Sequence, residues 1–286
     1  MQLKKSERSK AKIKMALQGP SGSGKTTSAI LIAQGLTNGN LNKVAIIDSE
    51  NGSSNLYSHL GNYNVLTLDN PHSPERYIQA IDVCINAGME VIILDSISHC
   101  WDYLLDYHSS LAGNSFTNWA KIKPMEKAFV DKILQSDVHF IATMRVKQDY
   151  VLSERNGKMV PEKVGLKAIQ RDEISYEFTI VFDIDSKHFA SSSKDRTLLF
   201  EGKPQFVINA LTGKKILDWC NSTMTKSELQ IKVSECNTLT ELTNLYHNNL
   251  DLAKTIEQDF IQKRDLIQTL INNATKSTNG NGTSHN

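Results

Sequence analysis

The chain has 286 residues, 40% of them hydrophobic and 22% charged, with 32 Lys and Arg against 31 Asp and Glu. That composition supports a folded core and excludes disorder as the main state, while a formal charge of +1 excludes a global field for nucleic acid or membrane, so any such attraction has to be local. The longest aliphatic runs, such as Val91–Leu94, are far too short for a bilayer, and the charged N-terminus lacks a signal-peptide stretch, so a cytoplasmic protein without membrane contact is expected.

Taken in chain order, the first fourteen residues carry Lys4, Lys5, Arg8, Lys10, Lys12 and Lys14 against Glu7 alone, a local charge of +5. Residues 1–12 read as a basic N-terminal arm, open to two uses: a solvated terminus or a contact to nucleic acid. From Ile13 to about Leu217 short apolar runs alternate with helix-like stretches. The runs Ile13–Leu17, Val44–Ile47, Val65–Leu68, Val91–Leu94, Phe140–Met144 and Thr179–Ile184 are rich in Ile and Val, the mark of strands buried on both faces. Between them, Lys25–Gly35, Pro74–Ala87 and Asn118–Gln135 predict helices. This alternation predicts an α/β fold over residues 13–223, a mostly parallel central sheet flanked by helices.

Residues 226–272 contain neither Pro nor Gly and repeat apolar residues at helical spacing, as in Leu239, Leu242, Leu245 and Tyr246. Residues 224–273 therefore predict a small helical C-terminal module, and the Ser/Thr/Asn/Gly-rich stretch 274–286 a disordered tail. Cys84, Cys100, Cys220 and Cys236 are widely spaced, with no CxxC pair, and no HExxH occurs, so reduced, buried thiols are expected rather than a zinc site.

The strongest signal is Gly19, Pro20, Ser21, Gly22, Ser23, Gly24, Lys25 and Thr26, followed by Thr27, which fits GxxxxGK[ST] between an apolar strand and a helix. Glycines there let successive backbone N–H groups turn onto a β-phosphate, the helix N-terminus adds partial positive charge, Lys25 reaches the β/γ oxygens, and Thr26 ligates Mg²⁺. ATP with Mg²⁺ is thus the expected cofactor. An acidic residue at the end of a neighbouring buried strand is also needed, and Val91-Ile92-Ile93-Leu94-Asp95 supplies Asp95 as a second metal residue. Hydrolysis requires a group that orients and polarises water; Asp48 and Glu50 stand at the end of the strand after the P-loop helix, and Glu50 is the candidate.

With these residues the chain resembles the RecA/RadA superfamily, and in particular the compact RecA-like P-loop ATPases of phages and prophages, including Sak-type recombinases. The resemblance rests on Gly19–Thr26, Asp48–Glu50, Leu94-Asp95-Ser96 and Lys194–Arg196, and extends from Ile13 to about Leu217. It implies that Glu50 activates water. It also implies that Lys194 and Arg196, on a late β-hairpin, reach into the nucleotide of a neighbouring subunit of a ring or filament, where two cations neutralise charge on the γ-phosphoryl group. Without the family setting, Lys194-Asp195-Arg196 reads as a solvated hairpin, and with it that reading stays open beside the trans role. Where the family places a polar sensor, usually His or Gln, this chain has Arg145, a cation open either to the γ-phosphate or to DNA.

Residues 145–171 hold Arg145, Lys147, Arg155, Lys158, Lys163, Lys167 and Arg171 against Asp149, Glu154 and Glu162, a local charge of +4 suited to a phosphate backbone. They read as a long functional connection, with Tyr150 available to stack on a base, or alternatively as a β-hairpin around Asn156-Gly157. The expected function is a single-stranded-DNA-dependent, oligomeric ATPase of phage-type recombination or annealing, working in a bacterial host's cytoplasm beside other phage replication or recombination proteins. Two readings stay open beside it: a helicase-like or loader ATPase of DNA replication, and a nucleotide-switched module with little turnover that recruits a partner through residues 226–272.

Overall fold

The computed structural model describes residues 11–155, 158–168, 174–221 and 226–279. The chain divides into two compact units, Lys10–Asn221 and the part from Ser222 onward.

In the larger unit the strands are β1 (Lys14–Gly19), β2 (Val44–Asp48), β3 (Asn64–Thr67), β4 (Val91–Asp95), β5 (His139–Arg155), β6 (Lys158–Ala168), β7 (Ile180–Ile184), β8 (Phe189–Asp195) and β9 (Phe206–Val207). They join in the order β3-β2-β4-β5-β1-β7-β8-β9, with β6 paired to β5. All neighbours from β3 to β7 are parallel, while β8 and β9 are antiparallel. The α/β fold expected from the alternation is therefore present. Period-2 alternation with both faces covered explains the continuous apolar runs: Met15, Val44, Ile46, Val91 and Ile93 pack on one face, and Ala16, Ala45, Ile47, Ile92 and Leu94 on the other.

The helices are α1 (Lys25–Leu36), α2 (Pro74–Asn86), α3 (Ser98–Ser110), α4 (Ser115–Gln135), the single turn α5 (Ile174–Glu177) and α6 (Ala210–Asn221). Residues of α1 and α6 join the first core, and residues of α2 and α4 the second. Ser73 caps α2 by accepting from the Arg76 N–H, and Pro74 occupies its first turn, where no N–H is missed. Asn114 caps α4 through the Phe116 N–H at 2.8 Å, so that helix begins three residues before the expected Asn118. Helix α3 has no counterpart in the sequence reading. It buries only Ser98, Cys100 and Leu104, too sparse a stripe to declare a period.

One further expectation changes. The run Phe140–Met144 does not end in a structureless connection: β5 continues to Arg155 and β6 returns antiparallel from Lys158, so the hairpin alternative is the one formed. Asn156, Gly157 and Arg171 lie outside the described residues, as do residues 1–10 of the basic arm. Lys14, counted in the charge of the first fourteen residues, lies in the run Ile13–Leu17 and is a core residue. It is 6% exposed and donates to Ser136 O at 2.6 Å and to Val138 O. Burial pulls its ammonium down to about 8, with Asp137 pulling the other way.

The second unit holds α7 (Lys226–Glu235), α8 (Leu239–Asn248), α9 (Leu250–Lys254) and α10 (Glu257–Asn279). Its own core contains Leu229, Val233, Leu242, Ala253, Ile256, Phe260 and Ile267. Thr238 and Glu241 form a reciprocal capping box at the start of α8. Helix α10 continues to Asn279, past the expected end of the module at residue 273, and residues 280–286 are outside the described part. All four cysteines are buried, and none forms a disulfide. Among the described residues no helix is long and apolar enough to cross a membrane.

Candidate functional site

The site lies at the C-terminal ends of β1, β2 and β4 and alongside Arg145 within β5, where they border one cleft of ≈ 690 Å³. The phosphate loop turns between β1 and α1 on two left-handed glycines, Gly22 at φ +79 and Gly24 at φ +88. A side chain on Gly19 would stand 2.4 Å from Ile184 O, so the strand-to-loop transition also requires glycine. Ser21, Gly22, Gly24, Lys25, Thr26 and Thr27 line the cleft, whereas Ser23 is fully buried beneath it and its Oγ has no partner. Lys25 Nζ donates to Gly19 O and Pro20 O, each at 2.9 Å, which holds the ammonium inside the loop. Burial keeps Lys25 below the ordinary lysine range, opposed by the carboxylates of Asp95 and Glu50.

Opposite the loop, Asp95 is 1% exposed and receives two hydroxyls: Thr26 Oγ1 at 2.7 Å on one oxygen and Thr143 Oγ1 at 2.5 Å on the other. Burial raises the Asp95 carboxyl above its usual range, while the hydrogen bonds from Thr143 and Thr26 act to lower it. Thr26 and Asp95 thus present adjoining hard oxygens, the donor chemistry that Mg²⁺ takes. The residues present fit a magnesium-bound nucleotide: inward-turned glycine backbone, a seated ammonium and a buried hydroxyl without an acceptor.

Asp48 and Glu50 separate in role. Asp48 is fully buried and accepts from Glu50 N at 2.7 Å, Ser54 N at 2.8 Å and Ser54 Oγ at 2.6 Å. It shapes the turn that puts Glu50 at the cleft. Arg145 Nε and Nη2 both donate to Glu50 Oε1, at 3.1 and 2.8 Å, with Arg145 44% and Glu50 27% exposed. Arg145 is paired with Gly19 in the β1–β5 ladder, and its N–H donates to Ser98 Oγ at 3.0 Å.

Lys194 and Arg196 do not line this cleft. Lys194 Nζ donates to Ser175 O at 2.9 Å and to Tyr176 O, and Arg196 Nη2 to Tyr176 O at 3.0 Å, so both cations sit on the carbonyls of α5 in their own chain.

Sequence reasoning missed several residues of the site. Thr143 was signalled only by being a polar residue inside an apolar run. Ser49 joins the ends of β2 and β4: its N–H donates to Asp95 O at 2.8 Å, its Oγ accepts from Ser96 N at 3.0 Å, and it lies 2.8 Å from His99 Nδ1. Tyr57, Ser53 and His188 line the cleft, and no local motif announced them.

A family profile described as an AAA domain matches residues 11–208. No curated protein matches the chain. Among solved structures, the KaiC-like protein PH0186 from the hyperthermophilic archaeon Pyrococcus horikoshii OT3 is similar at 15% identity and a TM-score of 0.39, covering 68% of this chain and 83% of that chain.

Proposed function

The chain belongs to the AAA-domain family, and on that premise we propose that it is a RecA-like P-loop ATPase that hydrolyses ATP under the control of single-stranded DNA, in phage-type recombination or annealing. The observation that carries the reading is the contact between Arg145 and Glu50. Glu50 is the carboxylate placed to take a proton from water, and one of its oxygens is held by a guanidinium. An oxygen engaged in that way is occupied by a donor and is not open to a water proton. Arg145 is also the residue directly before the β5–β6 hairpin, whose pairing begins at Val146 and Ala168. A ligand on the hairpin is set beside Arg145, which among the described residues is the side chain that restrains Glu50.

The register of the hairpin suits a polyanion. Lys147 is paired with Lys167, and Arg155 with Lys158. Basic residues in this number suit a phosphate backbone without reading sequence. Bound ATP with Mg²⁺ supplies the electrophilic γ-phosphoryl group. Lys25 neutralises phosphate charge, Thr26 and Asp95 hold the metal, and Glu50, once released, orients and deprotonates the attacking water. Lys194 and Arg196 complete the γ-phosphate site of a neighbouring copy in a ring or filament, which makes turnover depend on assembly.

ATP turnover and particle size, each with and without single-stranded DNA, test the proposal. Turnover is expected to rise with DNA and with protein concentration. Replacing Lys158, Lys163 and Lys167 with Ala should flatten the salt dependence of DNA binding by about 0.7 per lost phosphate contact. Turnover that ignores DNA at every protein concentration refutes the reading. Strand separation of a duplex rather than pairing of single strands would move the assignment to a helicase or loader.

A further inference from the structure

The turn between β7 and β8 lies against the phosphate loop. His188, in that turn, places Nδ1 3.0 Å from Ser23 O, and its ring stands 3.2 Å from where a side-chain carbon on Gly24 would lie. A carbonyl oxygen only accepts, so Nδ1 carries the proton in this contact. His188 is held at φ +68, a left-handed conformation that is uncommon for a residue with a side chain. That conformation belongs to the hairpin turn itself: the His188 N–H donates to Asp185 O at 3.1 Å, and Asp185 Oδ1 accepts from the Lys187 and Phe189 N–H groups, so the residue closing the turn is left-handed. The turn is also braced at Gly19, where Ile184 O leaves no room for a side chain, and at Ser23.

The Ser23 carbonyl and the Gly24 N–H belong to one planar trans peptide and point in opposite directions. Gly22 and Gly24 both have positive φ, and glycine lets a neighbouring peptide plane rotate with little steric resistance. Ser23 Oγ, buried without a partner, does not anchor the unit. The hydrogen bond to His188 does. We infer that His188 is a positioning residue of the nucleotide site: by donating to Ser23 O it holds the Ser23–Gly24 peptide in the orientation that aims the Gly24 N–H at the β-phosphate. This rests on the P-loop reading above and adds to it a residue 165 positions away in the chain.

The test compares equilibrium binding of ADP and steady-state ATP hydrolysis in the full chain carrying His188→Asn, His188→Gln or His188→Gly. Asn carries an amide N–H near the place of Nδ1, whereas Gln carries its own near the place of Nε2. Asn should bind ADP within about twofold of wild type, and Gln roughly tenfold more weakly, the size of one lost hydrogen bond. For Gln, KM for ATP should rise with kcat nearly unchanged, the pattern of a lost ground-state contact. Gly fits the left-handed turn best and so keeps the fold secure; it should unfold no lower than wild type yet bind ADP as weakly as Gln. A merely structural role would not separate stability from affinity in this way. Wild-type affinity in Gln and Gly, or an Asn variant as weak as Gln, overturns the inference. Lys25→Ala serves as the reference: if it too binds ADP like wild type, the P-loop assignment fails, whereas a weakened Lys25→Ala beside unaffected His188 variants sinks only the role of His188.

Discussion

Helices α1 and α6 meet backbone to backbone, and a single methyl group tests that packing. A side-chain carbon on Gly213 would lie 2.0 Å from Ile32 O and 2.8 Å from Ile32 C; one on Gly35 would lie 2.1 Å from Ala210 O. Gly213→Ala sets two effects against each other. Alanine gains about 1 kcal/mol of helix propensity over glycine. Against this, ordinary contact begins at 3.4 Å, so α6 has to withdraw from α1 by roughly 1.4 Å. The obstructing atoms are backbone on both sides, and no side chain can rotate away. Overpacking of this kind costs about 1–3 kcal/mol, and a backbone-limited site belongs at the upper end. The net expectation is a loss of about 2 kcal/mol, or roughly 4–8 °C in Tm for a unit of this size. Because α1 carries Lys25 and Thr26 in its first turn, its displacement should also weaken ADP binding. Thermal unfolding followed by circular dichroism, with ADP binding measured on the same samples, checks both. A Gly213→Ala chain as stable as wild type, or more so, would show that propensity dominates and that the close approach does not exist.

Other outcomes follow from the same geometry. Lys25→Ala and Asp95→Ala should abolish ATP turnover while leaving a folded chain, as judged by the far-ultraviolet spectrum; wild-type turnover in either refutes the site. Glu50→Gln should retain ATP binding and slow hydrolysis by on the order of 10²–10⁴, the range for a lost general base, and loss of binding instead would make Glu50 a structural residue. Arg145→Ala frees the same carboxylate, so basal turnover without DNA should rise and its stimulation by DNA shrink; unchanged stimulation contradicts the restraint. His139 is buried, with Nδ1 accepting from the Ile13 N–H at 3.1 Å, and burial pulls it down to about 4 from 6.5, helped by Lys12 and Lys14. Its folded pKa lies below its unfolded value, so the native state binds fewer protons between pH 4 and 6.5 and stability is lost as pH falls through that window. The loss totals on the order of 3 kcal/mol by pH 4. Denaturant melts of His139→Asn should show a shallower decline over that range, and an identical decline would exclude His139 as its source.

The parts of this protein legible in the sequence are those whose physics is local. Glycine spacing prescribes the turn of the phosphate loop, Lys25 and Thr26 follow from its continuation into α1, Asp95 is recognised because it directly ends an apolar run, and Glu50 because it stands two residues past Asp48, which ends another. The runs themselves announced strands covered on both faces, and so a mostly parallel sheet. Elements with a sparse buried stripe, such as α3, stayed silent, and the hairpin was one of two readings because its charges alone suit either.

What only the tertiary structure decided is which of these residues meet. Arg145 engages Glu50 across 95 positions, Thr143 supports Asp95 across 48, and His188 reaches Ser23 across 165. Each contact depends on strand order: β5 lies between β1 and β4, and β7 lies on the far side of β1. Lys14 illustrates the same limit: the run Ile13–Leu17 put it in a strand, and only the register of β1 with β5 places its ammonium over the Ser136 and Val138 carbonyls. Alternation along a strand states which face a side chain takes. It carries no information about the strand alongside, which is selected by long-range pairing and by the helices that cover the sheet.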